Sequence, residues 1–275
     1  MKYAFYFLLL TAAFLQGCSG YNSVVRSDDF ERKFELANQL YDRKQYSRCI
    51  ALYEQVYQRL PKTGQGELSY YRVGKSYYAE ENFYMAGYYF STFPEKFPMS
   101  TKNEEVMFLN ALCAVKNSPD YSLDQQDTEM ALNDLQMFIH RYPGSPLVDS
   151  CNHIMDNLRL KLEKKDFEGV KLYSRLENGC AGAACYKAAA TSAETFLATY
   201  PKSIFREEVY YIMVKNSYLL AINSIENKKV ERIEKTMERY LNFVSEFPKT
   251  SHRKEIDSFN EKMNEELFTL TNTKK

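Results

Sequence analysis

Apolar residues recur along this chain at intervals of three and four. Phe30, Phe34, Ala37, Leu40 and Tyr41 follow that spacing, and so do Tyr46, Cys49, Ile50, Tyr53, Val56, Tyr57 and Leu60. Each stretch therefore carries its apolar side chains along one face of a helix. The helical runs are punctuated by a recurring four-residue phrase: Leu60-Pro61-Lys62-Thr63, Phe97-Pro98-Met99-Ser100, Tyr142-Pro143-Gly144-Ser145, Tyr200-Pro201-Lys202-Ser203 and Phe247-Pro248-Lys249-Thr250. Proline lacks the N–H that a helix interior needs and disfavours the α conformation in the residue before it. A Ser or Thr two positions later can cap the first amides of a new helix. The phrase predicts helix, stop and restart, five times over. At Ser145-Pro146 the signal is reinforced, because Pro suits the first helical position after a capping Ser.

Small and large residues alternate upstream of these stops. Gly74, Tyr77, Ala86, Phe90 and Phe93 precede Pro98, and Ala37, Leu40, Cys49, Tyr53 and Val56 hold matching positions before Pro61. The pattern resembles a tetratricopeptide repeat array, in which helix pairs recur at 34 residues. The resemblance implies an all-α fold, a tetratricopeptide-like helix-pair solenoid of about five repeats with a C-terminal capping helix. Later units carry Ala189, Ala193 and Phe196 before Pro201, then Thr236, Tyr240 and Phe243 before Pro248. The proline spacings of 37, 45, 58 and 47 call for insertions, placed at Asn117 to Gln126, Glu177 to Cys185 and near Glu226 to Lys229. Pro146 to Arg175 has Gly169 as its one breaker and reads as a long helix shared by two units. Ile256, Phe259, Met263, Leu267 and Leu270 mark an amphipathic helix at the end, as a repeat array requires of its last element.

The first residues follow a different logic. Met1 and Lys2 lead into an apolar run from Tyr3 to Leu15, too short to span a bilayer, which needs about 20 apolar residues. A basic start, a short apolar segment and a small residue before Cys18 read as a secretory signal. Leu15-Gln16-Gly17-Cys18 is similar to the bacterial lipobox, with Gln16 where Ala or Ser is commoner. That similarity implies cleavage before Cys18 and attachment of acyl chains, palmitate among them, to its thiol. Several chains exceed the single one that gives only marginal membrane binding. Ser19, Gly20, Tyr21, Asn22 and Ser23 bring no acidic residue after the Cys, which by lipoprotein sorting rules favours the periplasmic face of the outer membrane. The expected organisation is a signal peptide over 1–17, a tether over 18–27, the repeat array over 28–250 and the capping helix over 251–275.

Composition narrows the possible activities. With 36 basic and 36 acidic side chains the formal net charge is +0, so there is no long-range pull toward phosphate, and no local basic patch marks a nucleic-acid partner. Three His and no Trp leave little material for an imidazole-based site or a tryptophan carbohydrate platform. Gly64-Gln65-Gly66 lacks the lysine and the preceding strand of a phosphate loop. Ser251-His252-Arg253-Lys254 has the Ser-x-x-Lys spacing of penicillin-recognising enzymes without their partner motifs. His153 flanked by Asp149 and Asp156 is a weak metal face, and His140 reads as a cation near a helix end. The expectation is no catalysis, no cofactor and no metal. Cys49 and Cys113 read as buried hydrophobes, and Cys151 is left open. Cys180 and Cys185 bracket a loop and would form a disulfide in an oxidising compartment or remain two thiols.

Lipobox, about five helix pairs, Tyr-Pro-x-Ser ends and a long linking helix together resemble the BamD family, lipoproteins of the outer-membrane β-barrel assembly machine. The resemblance implies a non-enzymatic scaffold. Its N-terminal repeats would receive unfolded outer-membrane protein precursors, and its C-terminal repeats would dock the barrel-forming subunit BamA. The Cys180 to Cys185 insertion and the neutral charge depart from that family. Repeat geometry places Phe34, Asn38 and Tyr41 of the first unit, and Tyr71, Lys75 and Tyr78 of the second, on the concave side, where Tyr rings suit an extended peptide. In the C-terminal half Glu207, Glu208, Lys215, Arg232 and Arg239 offer mixed charge for orienting the scaffold partner. The other reading is a repeat lipoprotein that serves cell-wall or division-complex assembly.

The mature protein should have an intact mass exceeding that of the 18–275 polypeptide by its lipid. Cys18→Ala should leave the outer membrane fraction, and quantitative retention there would refute the tether.

Overall fold

The computed structural model describes residues 17–176 and 183–272, and among them all regular secondary structure is helical. The chain divides into two compact units, residues 1–158 and 159–275. The first contains α1 (Gly17–Arg26), α2 (Phe30–Asp42), α3 (Tyr46–Arg59), α4 (Gly64–Ala79), α5 (Phe83–Lys96), α6 (Asn103–Asn117), α7 (Gln126–Arg141) and the start of α8 (Val148–Arg175). The second contains the rest of α8, then α9 (Ala183–Thr199), α10 (Arg206–Ile222), α11 (Glu226–Glu246) and α12 (Arg253–Asn272). From α2 to α7, and again from α9 to α12, each helix packs on its neighbour in sequence, and α2 also touches α4. This is the stacking of helix pairs expected of a repeat fold.

The proline phrases end helices as their chemistry demands. The residue before Pro leaves the α region, with φ of −125° at Leu60, −131° at Phe97, −129° at Tyr142 and −126° at Phe247. Its N–H still bonds back four residues, to Val56, Phe93, Phe138 and Phe243. In four phrases two aromatic rings four residues apart pack together at the stop: Phe93–Phe97 at 5.0 Å, Phe138–Tyr142 at 5.5 Å, Phe196–Tyr200 at 4.9 Å and Phe243–Phe247 at 5.9 Å. The expected capping role of the following Ser or Thr holds at Thr63, whose Oγ1 accepts from the Gly66 N–H at 3.1 Å. The other four depart from it. Ser100, Ser145, Ser203 and Thr250 each accept from the N–H two residues on, forming a hydroxyl turn, and the next helix starts later. Gly66 is needed for close approach, since a Cβ there would lie 2.0 Å from the Leu60 carbonyl oxygen.

Within the first two pairs the helices join through a matched turn. Lys44 (φ 58°) and Glu81 (φ 59°) adopt the left-handed conformation. Gln45 N–H bonds to Leu40 C=O and Asn82 N–H to Tyr77 C=O, the six-to-one bond of a Schellman motif. Neither turn carries the usual glycine, so the sequence hid it.

Other segments refine the expected layout. Residues 18–27, read as a tether, are helical through Arg26, and Val24 is buried against the α2–α3 core, with Tyr21 and Val25 packed beside it. The insertion after Asn117 is a loop braced by the buried Gln125 amide, which donates to the Asp120 and Leu123 carbonyls. The one placed near Glu226 is instead the first turn of α11, and the connection is Asn223 to Ile225. Of the insertion placed at Glu177 to Cys185, residues 177–182 lie outside the described residues, and Ala183 to Cys185 are instead the first turn of α9. Helix α8 runs unbroken for 28 residues. Cys151, Met155 and Leu158 join the first unit's core, while Phe167 and Val170 join the second's. Cys49, Cys113 and Cys151 are all buried free thiols. Helix α10 is buried on several sides, by α9, α11 and α12, which explains why it shows no clean apolar stripe.

The small-to-large packing inferred before Pro98 is direct contact. A Cβ at Gly74 would lie 2.6 Å from Cε1 of Phe90, a ring only 1% exposed and wedged against Tyr78. Overpacking a core costs about 1–3 kcal/mol, against about 1 kcal/mol returned by alanine's helix preference. Gly74→Ala should therefore lower unfolding free energy by about 1 kcal/mol in urea denaturation. In a Phe90→Leu background Gly74→Ala should cost less than it does alone, because the shorter side chain relieves that contact.

Candidate protein-binding surfaces

The N-terminal row stands on α2 and α4, the first helices of two successive pairs, and polar ties join it. Asn38 Oδ1 accepts from Tyr53 Oη at 2.7 Å and from Arg72 Nη1 at 2.6 Å, and Arg72 also donates to Tyr53 Oη at 2.9 Å. The same guanidinium lies 4.7 Å over the Tyr41 ring. One step along, Glu105 on α6 accepts from Tyr71 Oη at 2.8 Å and Lys75 Nζ at 2.9 Å. The Asn38–Arg72 and Tyr71–Glu105 ties each span 34 residues, as does the bond from Gln65 to Glu31. The repeat length is thus written in side-chain contacts. Phe34 and Tyr78 turn more toward the core, Phe34 edge-on to Tyr53 at 6.3 Å and Tyr78 against Phe83 at 5.3 Å. Arg72 and Glu105 escaped the sequence reading, although each lies 34 residues from a residue that was chosen.

Burial keeps the Tyr53 and Tyr71 phenols protonated. Burial pushes the Tyr53 phenol well up, against the opposing pull of Arg72, and burial followed by the Glu105 hydrogen bond does the same for Tyr71. Both remain donors at neutral pH. For Glu105, burial raises the carboxyl, but hydrogen bonds from Lys75 and Tyr71 outweigh it and leave it below the ordinary range. Its contribution to stability is present above the unfolded glutamate value and fades as pH falls through the lowered one.

In the second unit the five charged residues behave differently from one another. Arg239 donates to Ser217 Oγ at 2.6 Å and pairs with Glu194 at 2.7 Å, and Arg232 donates to Ser224 Oγ at 2.6 Å. Arg239 thus braces α11 against α9 and α10, and Arg232 ties α11 to the turn that precedes it. Glu208 meets His252 Nε2 at 3.1 Å, and that imidazole stacks on Tyr211 with centroids 3.9 Å apart, tying α12 to α10. Glu207 lies in the first turn of α10 and Lys215 is half-buried on the same helix. A cleft of about 830 Å³ opens between α8 and α9, with Val170 and Phe196 in its floor and Tyr173, Thr191 and Thr195 on its rim. Cys185 is disulfide-bonded, while Cys180 and the side chain of Cys18 lie outside the described residues. Among the described residues no group of His, Cys, Asp and Glu is arranged to hold a metal, and no helix is long and apolar enough to cross a membrane. His153 is exposed on α8, and His140 is exposed in the last turn of α7.

Residues 27–184 match the model of the YfiO family, described as outer membrane lipoprotein. The chain belongs to this family. The match covers α2 through α8, so the tied row of α2, α4 and α6 lies wholly inside it. No curated protein matches the sequence. Among solved structures, a thermophilic TPR protein of Thermus thermophilus overlays 84% of this chain and 98% of its own at 15% identity with a TM-score of 0.32.

Arg72→Met should cost about 1–3 kcal/mol in urea denaturation, because it strips Asn38 and Tyr53 of a charged donor inside the repeat. Arg72→Lys should restore little, since an ammonium cannot share the planar fork between the amide, the phenol and the Tyr41 face.

Proposed function

We propose that this outer-membrane lipoprotein is a scaffold and client receptor for assembly of β-barrel proteins, held at the periplasmic face by acyl chains on Cys18. The observation that carries the reading is the tied row on the first helices of successive pairs. Asn38, Tyr41, Tyr71 and Lys75 sit in a fixed register, so an extended chain laid across α2, α4 and α6 would meet alternating phenol, amide and ammonium groups without the helices having to rearrange. Such a surface binds by preorganisation. Phenol rings with polar tips match the aromatic-rich termini of unfolded barrel precursors. Repeat packing and membership of a lipoprotein family support a non-enzymatic role in binding other proteins.

The same reading assigns the C-terminal unit to the barrel-forming, BamA-like subunit. Glu207 and Lys215 on α10 are offered as orienting charges, and the cleft between α8 and α9 as apolar contact area. Arg232, Arg239 and Glu208 would act indirectly, by holding α11 and α12 in place. The Cys180–Cys185 disulfide is part of this proposal, as a clip on the first turn of α9.

Photo-crosslinkers at Tyr41, Tyr71 and Lys75 should capture terminal peptides of barrel precursors, and crosslinkers at the exposed Arg59 and Lys62 should not. Equal labelling at both sets would remove the client role. The charge reversals Glu207→Lys and Lys215→Glu should reduce co-purification of the barrel-forming subunit while leaving precursor crosslinking intact, and full retention would move docking elsewhere.

A further inference from the structure

Helices α5, α6 and α7 form a second surface, which shares no residue with the tied row. It is a trough of about 360 Å³. Small residues of α6, Cys113 and Ala114, set its floor low, and Gly87 lets α5 come close, its Cβ position 3.5 Å from that of Cys113. One wall is made by Tyr84 and Tyr88, one helical turn apart on α5 and 67% and 58% exposed. The other wall is α7, which contributes Asp127, Met130 and Asp134 at a spacing that puts all three on one helix face.

The polar lining is one-sided. Asp127 accepts from Tyr84 Oη at 3.1 Å and Asp134 from Asn110 Nδ2 at 2.9 Å, both neutral donors, and among the described residues no Lys or Arg lines the trough. Burial pushes the Asp134 carboxyl up, with the Asn110 hydrogen bond pulling it part of the way back. A cation entering the trough would offset that cost of desolvation. The Tyr rings offer π faces to the same cation, and the Met130 thioether, 52% exposed, adds a polarizable contact.

These features discriminate between cations. An ammonium is compact and strongly hydrated, whereas a guanidinium is flat and weakly hydrated, stacks on aromatic faces and donates along its edge to a carboxylate. Two rings on one side and two carboxylates on the other match the flat ion. The trough is also open and larger than a guanidinium needs, leaving room along Met130 for the residues on either side of an arginine. We infer that the α5–α7 trough binds an arginine side chain displayed on an extended segment of a protein partner. The inference does not depend on the proposed role in barrel assembly.

The test uses the full mature chain in detergent, labelled with 3-fluorotyrosine, with the Tyr84 and Tyr88 fluorine resonances assigned by Tyr→Phe substitution. N-acetyl-arginine amide should shift both resonances saturably, and N-acetyl-citrulline amide, its uncharged near-isostere, should not. N-acetyl-lysine amide should bind more weakly than arginine. The blocked peptide Ala-Ala-Arg-Ala-Ala should bind more tightly than the single residue. Asp134→Asn and the surface variant Tyr84→Ala should each weaken the arginine probe by about tenfold, with thermal melts confirming that both fold. Citrulline binding as well as arginine, or unchanged affinity in both variants, would overturn the site. Lysine matching arginine would overturn the guanidinium assignment, and equal affinity of peptide and single residue would overturn the partner chain.

Discussion

Four helices stop at an aromatic residue before proline, and that residue makes two contacts with the residue four positions earlier. Its N–H closes the last backbone bond onto the Phe93, Phe138, Phe196 or Phe243 carbonyl, while its ring packs on the same phenylalanine. Those four phenylalanines are nearly or wholly buried. The stop is therefore welded to the core rather than fraying into solvent, and the direction in which the chain leaves each helix is set by proline's restriction on that one residue. Aromatic pairs contribute about 0.5–1.5 kcal/mol beyond the area they bury. In this fold their larger effect is geometric, because a helix that ended one residue late would rotate the next pair off its face.

With the stops in place, the stacking of first helices acquires a fixed register, and the polar ties exploit it. Asn38–Arg72 and Tyr71–Glu105 connect equivalent positions one repeat apart, so a single geometric step is used twice. The second unit follows longer steps, seen in Glu208–His252 and Tyr211–Glu255 at 44 residues, and in Glu194–Arg239 at 45. Ties of this kind are individually modest when exposed. Their value lies in keeping neighbouring helices from sliding, which the proposed binding of an extended chain would require.

Two sets of side chains in the first unit carry the recognition proposed for it. The row on α2, α4 and α6 mixes phenols with a guanidinium already engaged by Asn38, Tyr53 and Tyr41, so the positive charge there is largely satisfied within the fold. The trough of α5, α6 and α7 has the reverse character, with carboxylates answered, among the described residues, by the neutral donors Tyr84 and Asn110 beside exposed rings. A helical repeat presents different helices on its different faces, and this chain has given those faces opposite electrostatic needs.

The paired helices α2 to α5, the proline stops and the 34-residue step of the first pairs are legible in the amino-acid sequence, because they follow from local backbone chemistry: proline's missing N–H, apolar periodicity, and the small partner that Phe90 requires at Gly74. Local detail is less legible. Ser100, Ser145, Ser203 and Thr250 form turns rather than caps, and Lys44 and Glu81 adopt a left-handed conformation that nothing in their side chains announces. Which polar groups meet is settled by packing alone. Arg239 looks like a free surface charge along the chain but braces Ser217 and Glu194, and Asp127, Asp134, Tyr84 and Tyr88 become one trough only when α5 and α7 flank α6. Periodicity reports which face of a helix is buried, whereas the partner of a charge is set by chain segments 22 to 45 residues away, whose approach depends on packing that no local pattern encodes.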